Sequence, residues 1–399
     1  MRLLHTADWH IGQIFFEYDR QEEHLQFLAW LKLQVRETAA DALLVAGDVF
    51  DGPNPSAVSQ KMFYKFLREV TAENPQLQVV IIAGNHDSAA RLEAPNPLLE
   101  EMCVTIRGVV RRTPDGAIDY PHLMVPLRKG NEIAAWCLAV PYLRQGDYPD
   151  AENYGQGVGK LYEELCKIIP DKTKPVIAMG HLHATGAEIS ENDRSERIII
   201  GGLECVPPDT FSREIACVAL GHLHRAQQIA GRTQIRYAGS PLPVSFAEKR
   251  YRQGINLIEI TENDVKIERI AFDAPVKLLS IPDKPATLRE VLAAISLLPD
   301  GAITARSPYL EIKVLMKEPE PSLRRHIEEA LNNKSVRLAR IAAVTPENKY
   351  ERKTLTCEEL QEIHPMDMAL HVFRQRFGGE EMPDAMKTLL QGVIQETEQ

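Results

Sequence analysis

Five short stretches of the chain deliver histidine, aspartate or asparagine at the ends of apolar runs: Asp8-Trp9-His10, Gly47-Asp48-Val49-Phe50-Asp51, Gly84-Asn85-His86-Asp87, Gly180-His181-Leu182-His183 and Gly221-His222-Leu223-His224. Carboxylate, amide and imidazole donors without thiolate suit Mn²⁺, Fe²⁺ or Zn²⁺ with part of the coordination left to water, and they disfavour a closed structural zinc site. Two such ions about 3.5–4 Å apart, bridged by one carboxylate, would lower the pKa of a shared water and clamp an attacked phosphorus from both sides. That chemistry also calls for a proton donor to the leaving oxygen. His86 is free to be that donor if Asn85 takes the metal, and Asp51, three residues past Asp48, is placed to orient His86. Taken alone, Gly84 to Asp87 also reads as a turn in which Asn85 and Asp87 satisfy backbone groups. Repetition of the same construction in one chain is what favours a site.

The elements that must position these residues are strands. Val79 to Ala83 is apolar without alternation, as expected of a strand covered on both faces, and Gly84 lets the backbone turn sharply at its end. Arg2 to Thr6, Ala42 to Ala46, Val176 to Met179 and Cys217 to Leu220 run into their loops in the same way. Open α/β sheets place ligand sites at such carboxyl ends. Between the first two strands, Asp19-Arg20-Gln21-Glu22 has the form of a capping box with Asp19 as N-cap, followed by a helix with Leu25, Leu28, Leu31 and Val35 on one face. A second helix starts near Ser56 and buries Met62, Phe63, Phe66, Leu67 and Val70, which completes an α/β alternation. Val158, Leu161, Leu165 and Ile168 mark another helix, and strands are expected over 134–140, 234–238, 255–260 and 265–272. Gly155 to Lys160 imitates a phosphate loop, but Tyr154 and Leu161 stand where a Walker A motif needs Gly and Ser or Thr, so no ATP site is expected.

The 399 residues exceed what one core usually supports. The expected division is a metal-binding domain over 1–272, a small α/β capping or substrate-positioning domain over 273–349, announced by Pro275, Pro282 and Pro285, and a helical tail over 350–399. In the small domain the pattern predicts strands 276–281, 309–316 and 336–344 around helices 288–298 and 322–332. Thr356 to Glu359 forms a second capping-box pattern, and Pro383 opens a last helix with Met386, Leu389, Leu390, Val393 and Ile394 on one stripe. That stripe either packs on its own domain or docks a partner. Hydrophobic residues at 44% and charged residues at 26% are ordinary for a globular protein. No apolar run reaches membrane length and the first strand follows Met1 at once, so a cytoplasmic protein is expected. The six cysteines lack Cys-x-x-Cys spacing and read as buried thiols. A net charge of −10 argues against holding nucleic acid by global charge; any such binding must be local, metal-assisted or shared.

Asp8-x-His10, Gly47-Asp48-x-x-Asp51, Gly84-Asn85-His86-Asp87, Gly180-His181 and Gly221-His222-x-His224, in this order, resemble the calcineurin-like metallophosphoesterases. Asp8-Trp9-His10, Pro141-Tyr142-Leu143-Arg144, Gly221 to Ala226 and Tyr237-Ala238-Gly239-Ser240-Pro241 are similar to the nuclease subunits of bacterial end-processing complexes, counterparts of the eukaryotic double-strand-break repair nuclease. The resemblance implies a β-sandwich flanked by helices. It implies one metal on Asp8, His10, Asp48 and His224 and a second on Asp48, Asn85, His181 and His222, with Asp48 bridging, His86 catalytic and His183 a spare surface imidazole. Phosphatases of the superfamily carry Arg-Gly after the second aspartate of the second motif; Gly52-Pro53 stands there here, which favours a diester. Further implications are a manganese-dependent DNA nuclease with 3′-to-5′ exonuclease and endonuclease activity on ends and hairpins, a separate ATPase partner held by the terminal helices, and a homodimer. Arg91, Arg107, Arg111, Arg112, Arg144, Lys249 and Arg250 are candidate phosphate contacts, although charged loop residues are commonly only solvated. Two rivals stay open: a phosphodiesterase of small nucleotides working without a partner, and a non-catalytic interaction module on the same fold.

Overall fold

The computed structural model describes residues 1–187, 205–229, 231–261, 264–316, 320–344, 365–376 and 381–397. The chain divides into two compact units, the first carrying all the sheets discussed below and the second the last two helices.

The body of the first unit is a pair of six-stranded sheets. One runs from edge to edge through Val265–Ala271, Gly254–Ile260, Arg2–Thr6, Ala42–Ala46, Gln78–Ile82 and Val104–Arg107; the other through Gln227–Ile229, Arg232–Tyr237, Ile215–Gly221, Val176–His181, Glu132–Ala139 and Met124–Lys129. The central strands of each sheet are parallel, so the ends of Arg2–Thr6, Ala42–Ala46 and Gln78–Ile82 open on the same side of their sheet, as do Val176–His181 and Ile215–Gly221 in the other. Leu3, Leu44, Val80 and Ile82 of the first sheet share a core with Cys137, Ile177, Met179 and Cys217 of the second, interspersed with Ala42, Ala46, Ala135, Ala139 and Ala219. These small residues let the sheets approach closely: a Cβ on Gly221 would collide with the Ala46 carbonyl. The apolar strands are therefore covered on one face by the opposite sheet and on the other by helices.

Helices Gln21–Thr38 and Ala57–Glu73 cover the outer face of the first sheet through Phe27, Leu28, Leu31, Val35, Phe63, Phe66, Leu67 and Val70. Ser56 caps the second of them, its Oγ accepting from the Ser59 amide at 3.1 Å. The capping box at Asp19 does not form. Asp19 accepts from the Gln21 amide, but the N-cap position falls on Arg20, whose guanidinium is buried and gripped by Glu23. Leu25 is correspondingly exposed and Phe27 takes the buried place. Helix Tyr154–Lys167 covers the second sheet, and the Gly155 to Lys160 run forms its first turns behind an Asn153 cap rather than a phosphate loop; Ile168, just past its end, is exposed.

A small α/β module is a three-stranded parallel sheet, Leu278–Ala286, Tyr309–Leu315 and Arg337–Val344, with crossover helices Leu288–Ser296 and Leu323–Ala330 over Leu310, Ile312 and Val314. Its central strand begins with Tyr309, which joins Phe15, Phe246 and Val276 in a cluster shared with the body. In the second unit are helices Pro365–Arg376 and Asp384–Thr397; Arg374 of the first pairs at 3.3 Å with Glu381, which precedes the second, and Met386 and Leu389 are exposed. The pattern at Thr356 to Glu359 and the side chains of Val393 and Ile394 lie outside the described residues. Among the described residues no helix is long and apolar enough to cross a membrane.

Candidate metal centre

All five loops meet at the carboxyl ends of the parallel strands. Left-handed backbone marks the meeting point: Asp8, His10, Asp48 and His222 have φ of 55°, 48°, 48° and 97° without being glycine. Such conformations persist only where the surroundings enforce them, and they cluster at functional sites. For the first two loops the enforcement is a ladder, with Asp8 N donating to Gly47 O and His10 N to Asp48 O, both at 3.0 Å, and Ile11 N to Val49 O at 2.9 Å; the His222 amide instead donates to Asp8 Oδ1 at 2.9 Å. Trp9 anchors the first loop from behind, its indole buried among Phe27, Phe63 and Phe66 and its Nε1 donating to Thr6 Oγ1 at 2.9 Å.

The donor atoms fall into two overlapping groups. His10 Nε2 and His224 Nε2 lie 3.2 Å apart, and with Asp8 they can grip one ion. Asp8, Asp48 and His181 make a second such group, and Asn85 Oδ1 adds to it, 2.9 Å from His181 Nε2 and 3.0 Å from His222 Nδ1. Asp48 Oδ2 is 3.4 Å from His181 Nε2 and 3.9 Å from His10 Nε2, between the two groups. His181 is turned by its other nitrogen, Nδ1, which lies 2.9 Å from the Ala46 carbonyl. This is the outer hydrogen bond that fixes a ligating imidazole's tautomer.

The electrostatics suit a cation. Asp8 Oδ2 is buried without a hydrogen-bond partner, while Oδ1 accepts from the His222 amide at 2.9 Å. Burial raises the Asp8 pKa despite nearby histidines, so its charged form lacks compensation. Burial alone would raise Asp48 too, but His181, His10 and His86 hold it well below the carboxylate range. Burial would lower His181, yet the Asp48 carboxylate raises it to about 9. Burial, with His181 alongside, keeps His222 well below the usual imidazole range. An orphaned buried carboxylate oxygen among convergent nitrogens is the environment two divalent ions would complete.

His86 stands beside this cluster, its ring 4.9 Å from that of His10, and its amide donates to Asp48 Oδ1 at 2.8 Å. Its Nδ1 lies 3.0 Å from the main-chain carbonyl of Asp51, whereas the Asp51 carboxylate lies 3.4 Å from His10 Nδ1. The orientation of His86 by Asp51 therefore runs through the backbone, not the side chain.

The residues over 1–226 match the family model described as calcineurin-like phosphoesterase, and 274–377 match that of the type 5 capsule protein repressor C-terminal domain. The SbcD component of the SbcCD nuclease of Rhodobacter capsulatus is 39% identical over 87% of this chain and 88% of its own length. The chain belongs to the SbcD family. The counterpart from Escherichia coli K12 is 29% identical over 100% of this chain and 98% of its own, and that of Bacillus subtilis is 33% identical over 65% and 66%. As an SbcD-family member on the calcineurin-like fold, the chain is a metal-dependent phosphodiesterase with nuclease activity, and divalent cations are its cofactors.

Within the SbcD-type site, Asp87 does what a turn residue does. Its buried carboxylate accepts the amides of Val49 at 3.1 Å, Phe50 at 3.0 Å and Gly84 at 2.9 Å, stapling the second and third loops together. Burial and the Asp48 charge push it up to about 6 against those three donors. The turn reading of the third motif thus holds for Asp87, while Asn85 reaches the histidines. His183 is half-buried and is not in either donor group. The basic candidates scatter. Arg91 bonds Pro53 O and Asn54, Arg107 bonds His122 O, Arg111 pairs with Glu93, Arg112 bonds Gly116 O and Gly146 O, and Lys249 lies 3.9 Å from Asp283 of the small α/β module; Arg250 is exposed. Arg144 is stacked at 5.6 Å over the Tyr142 ring, which sits 6.2 Å from His181. Glu248, fully buried and 3.2 Å from His224 Nδ1, is not visible from the sequence, because no spacing rule relates it to His224.

Proposed function

We propose that this chain is a manganese-dependent DNA phosphodiesterase, with 3′-to-5′ exonuclease and endonuclease activity on ends and hairpins, working in the cytoplasm at the nucleoid with the SbcC ATPase as its partner. In this reading one ion is held by Asp8, His10, Asp48 and His224 and the other by Asp48, Asn85, His181 and His222. The observation that carries it is the convergence of Asp8, His10, Asp48, His181 and His224, extended through Asn85 to His222, with one Asp8 oxygen orphaned and His86 beside them but outside the donor groups. Asp8 being within reach of both groups leaves either buried carboxylate able to bridge.

The ions, when bound, supply Lewis acidity to the phosphate and acidify water. The chain's own contribution is positional. The Asp51 carbonyl accepts from His86 Nδ1–H, so the protonated imidazole keeps Nε2–H for the leaving oxygen of the cut strand. Asp87 holds the two loops that carry Asp48 and His86 in register, and Arg144 on its tyrosine platform offers a charge to backbone phosphate. Residues 1–272 would form the nuclease domain and 273–349 the cap, with the exposed Met386 and Leu389 of the last helix as part of the SbcC dock and the nuclease paired as a homodimer in a heterotetramer.

The test is cleavage of hairpin, single-stranded and duplex DNA by the purified chain with manganese, with and without SbcC. Hydrolysis abolished by chelator and restored by manganese is expected. Indifference to chelator would reject the assignment, and cleavage of dinucleotides as fast as long DNA would favour the small-nucleotide rival.

A further inference from the structure

The loop 240–250 joins the metal cluster to the capping module, and its geometry centres on one carboxylate. Glu248 is wholly inaccessible, as few carboxylates are without a dedicated purpose. Its Oε1 lies 3.2 Å from His224 Nδ1 and accepts from Ser245 Oγ at 3.2 Å, while Oε2 accepts from the Val244 amide at 3.0 Å. The remaining nitrogen of His224, Nε2, points at His10 Nε2. An ionised carboxylate at Nδ1 requires the proton there, which leaves the Nε2 lone pair facing the ion.

The same loop is held from the other side by the cap. The Pro243 carbonyl accepts from the buried Arg20 guanidinium at 2.6 Å. Arg20 is paired with both oxygens of Glu23, at 3.0 and 2.8 Å, and Glu23 Oε1 accepts from the Tyr309 hydroxyl of the cap's central strand at 2.7 Å. Phe15, Phe246 and Tyr309 pack around this network, with ring centroids 4.8–5.3 Å apart for the pairs that Phe15 makes. Every link is buried, so no water can substitute cheaply for a lost partner.

We infer that Glu248 is a positioning residue for the metal ligand His224, setting its tautomer and tying the His10–His224 ion site to the seating of the capping module through Pro243, Arg20, Glu23 and Tyr309. The inference rests on the proposed reading of His224 as a ligand. By linkage, whatever moves Tyr309 shifts affinity at that site, and an ion bound there steadies the cap.

Calorimetric titration of Mn²⁺ into the full chain tests both statements. Wild type is expected to show two sites. Glu248→Gln should weaken one of them about 10- to 100-fold and spare the other, and Tyr309→Phe should weaken the same site by about 5-fold. Wild type without two sites would reject the ligand reading itself. Two wild-type sites with unchanged affinities in Glu248→Gln, or equal loss at both, would overturn the positioning role alone; an unaltered site in Tyr309→Phe would overturn the link to the cap. Should Glu248→Gln fail to fold, nitrogen NMR of the histidines in wild type decides. A proton on Nδ1 of His224 is expected, and one on Nε2 would overturn the inference.

Discussion

His86 Nδ1 faces the carbonyl oxygen of Asp51 at 3.0 Å, while the carboxylate of the same Asp51 turns to His10 Nδ1 at 3.4 Å. One residue thus serves two imidazoles through different atoms, and substitutions separate the two duties. His86→Ala should keep two Mn²⁺ per chain by calorimetry and lose about 10²- to 10⁴-fold in kcat. Asp51→Asn keeps the carbonyl, so kcat should fall far less, and the loss should appear in Mn²⁺ affinity. Equal kcat losses in both would show that the carboxylate itself serves His86.

Gly47 has a φ of 90°, and a Cβ there would strike the His181 ring. Gly47→Ala is expected to cost about 1–2 kcal/mol for the left-handed backbone alone, and more because His181 must move. Urea denaturation should show the loss of stability, and calorimetry the loss of a Mn²⁺ site. A variant with both unchanged would mean that the second loop yields without disturbing His181.

Away from the site, Glu93 sets an acid limit on stability. Burial would raise its pKa, but His122 at 3.4 Å, the amides of Val109 and Gly108 at 3.0 and 2.7 Å, and Arg111 bring it down from 4.5 to about 2. Because the folded value lies below the ordinary one, the contribution is complete above pH 4.5 and fades as pH falls toward 2. It is on the order of 3 kcal/mol by the shift. The stability difference between wild type and Glu93→Gln, measured by denaturant titration, should be largest above pH 5 and shrink on acidification; a difference constant with pH would contradict this.

Arg144 is exposed and stacked over Tyr142, whose ring lies 6.2 Å from that of His181. Arg144→Ala should weaken binding of DNA uniformly across sequences and reduce the slope of log affinity against log salt by about 1, the loss of one phosphate contact. The fall should appear in KM with kcat little changed. A slope equal to that of wild type would return Arg144 to an ordinary solvated charge.

Much of this protein was legible before any fold was known. Apolar runs ending in Asp8, Asp48, Asn85, His181 and His222 announce strands whose carboxyl ends bring donor side chains together, because burial on both faces forbids alternation and such side chains gather where the backbone leaves the sheet. The Ser56 cap and the Phe63, Phe66 and Val70 face are local in the same sense, set by hydrogen bonds and spacing within a few residues. What the chain could not disclose is everything that depends on which atom of a known residue meets a distant one. Asp51 meets His86 through its carbonyl and His10 through its carboxylate, Asp87 meets three amides on two loops, and Glu248 meets an imidazole 24 positions away. The left-handed turns at Asp8, His10 and Asp48, held by the ladder between loops, and at His222, whose amide donates to Asp8 Oδ1, belong to the same class. Side-chain type and local period are written residue by residue, whereas orientation in a dry, crowded centre is settled by the two sheets closing on each other, and that closure exists only in three dimensions.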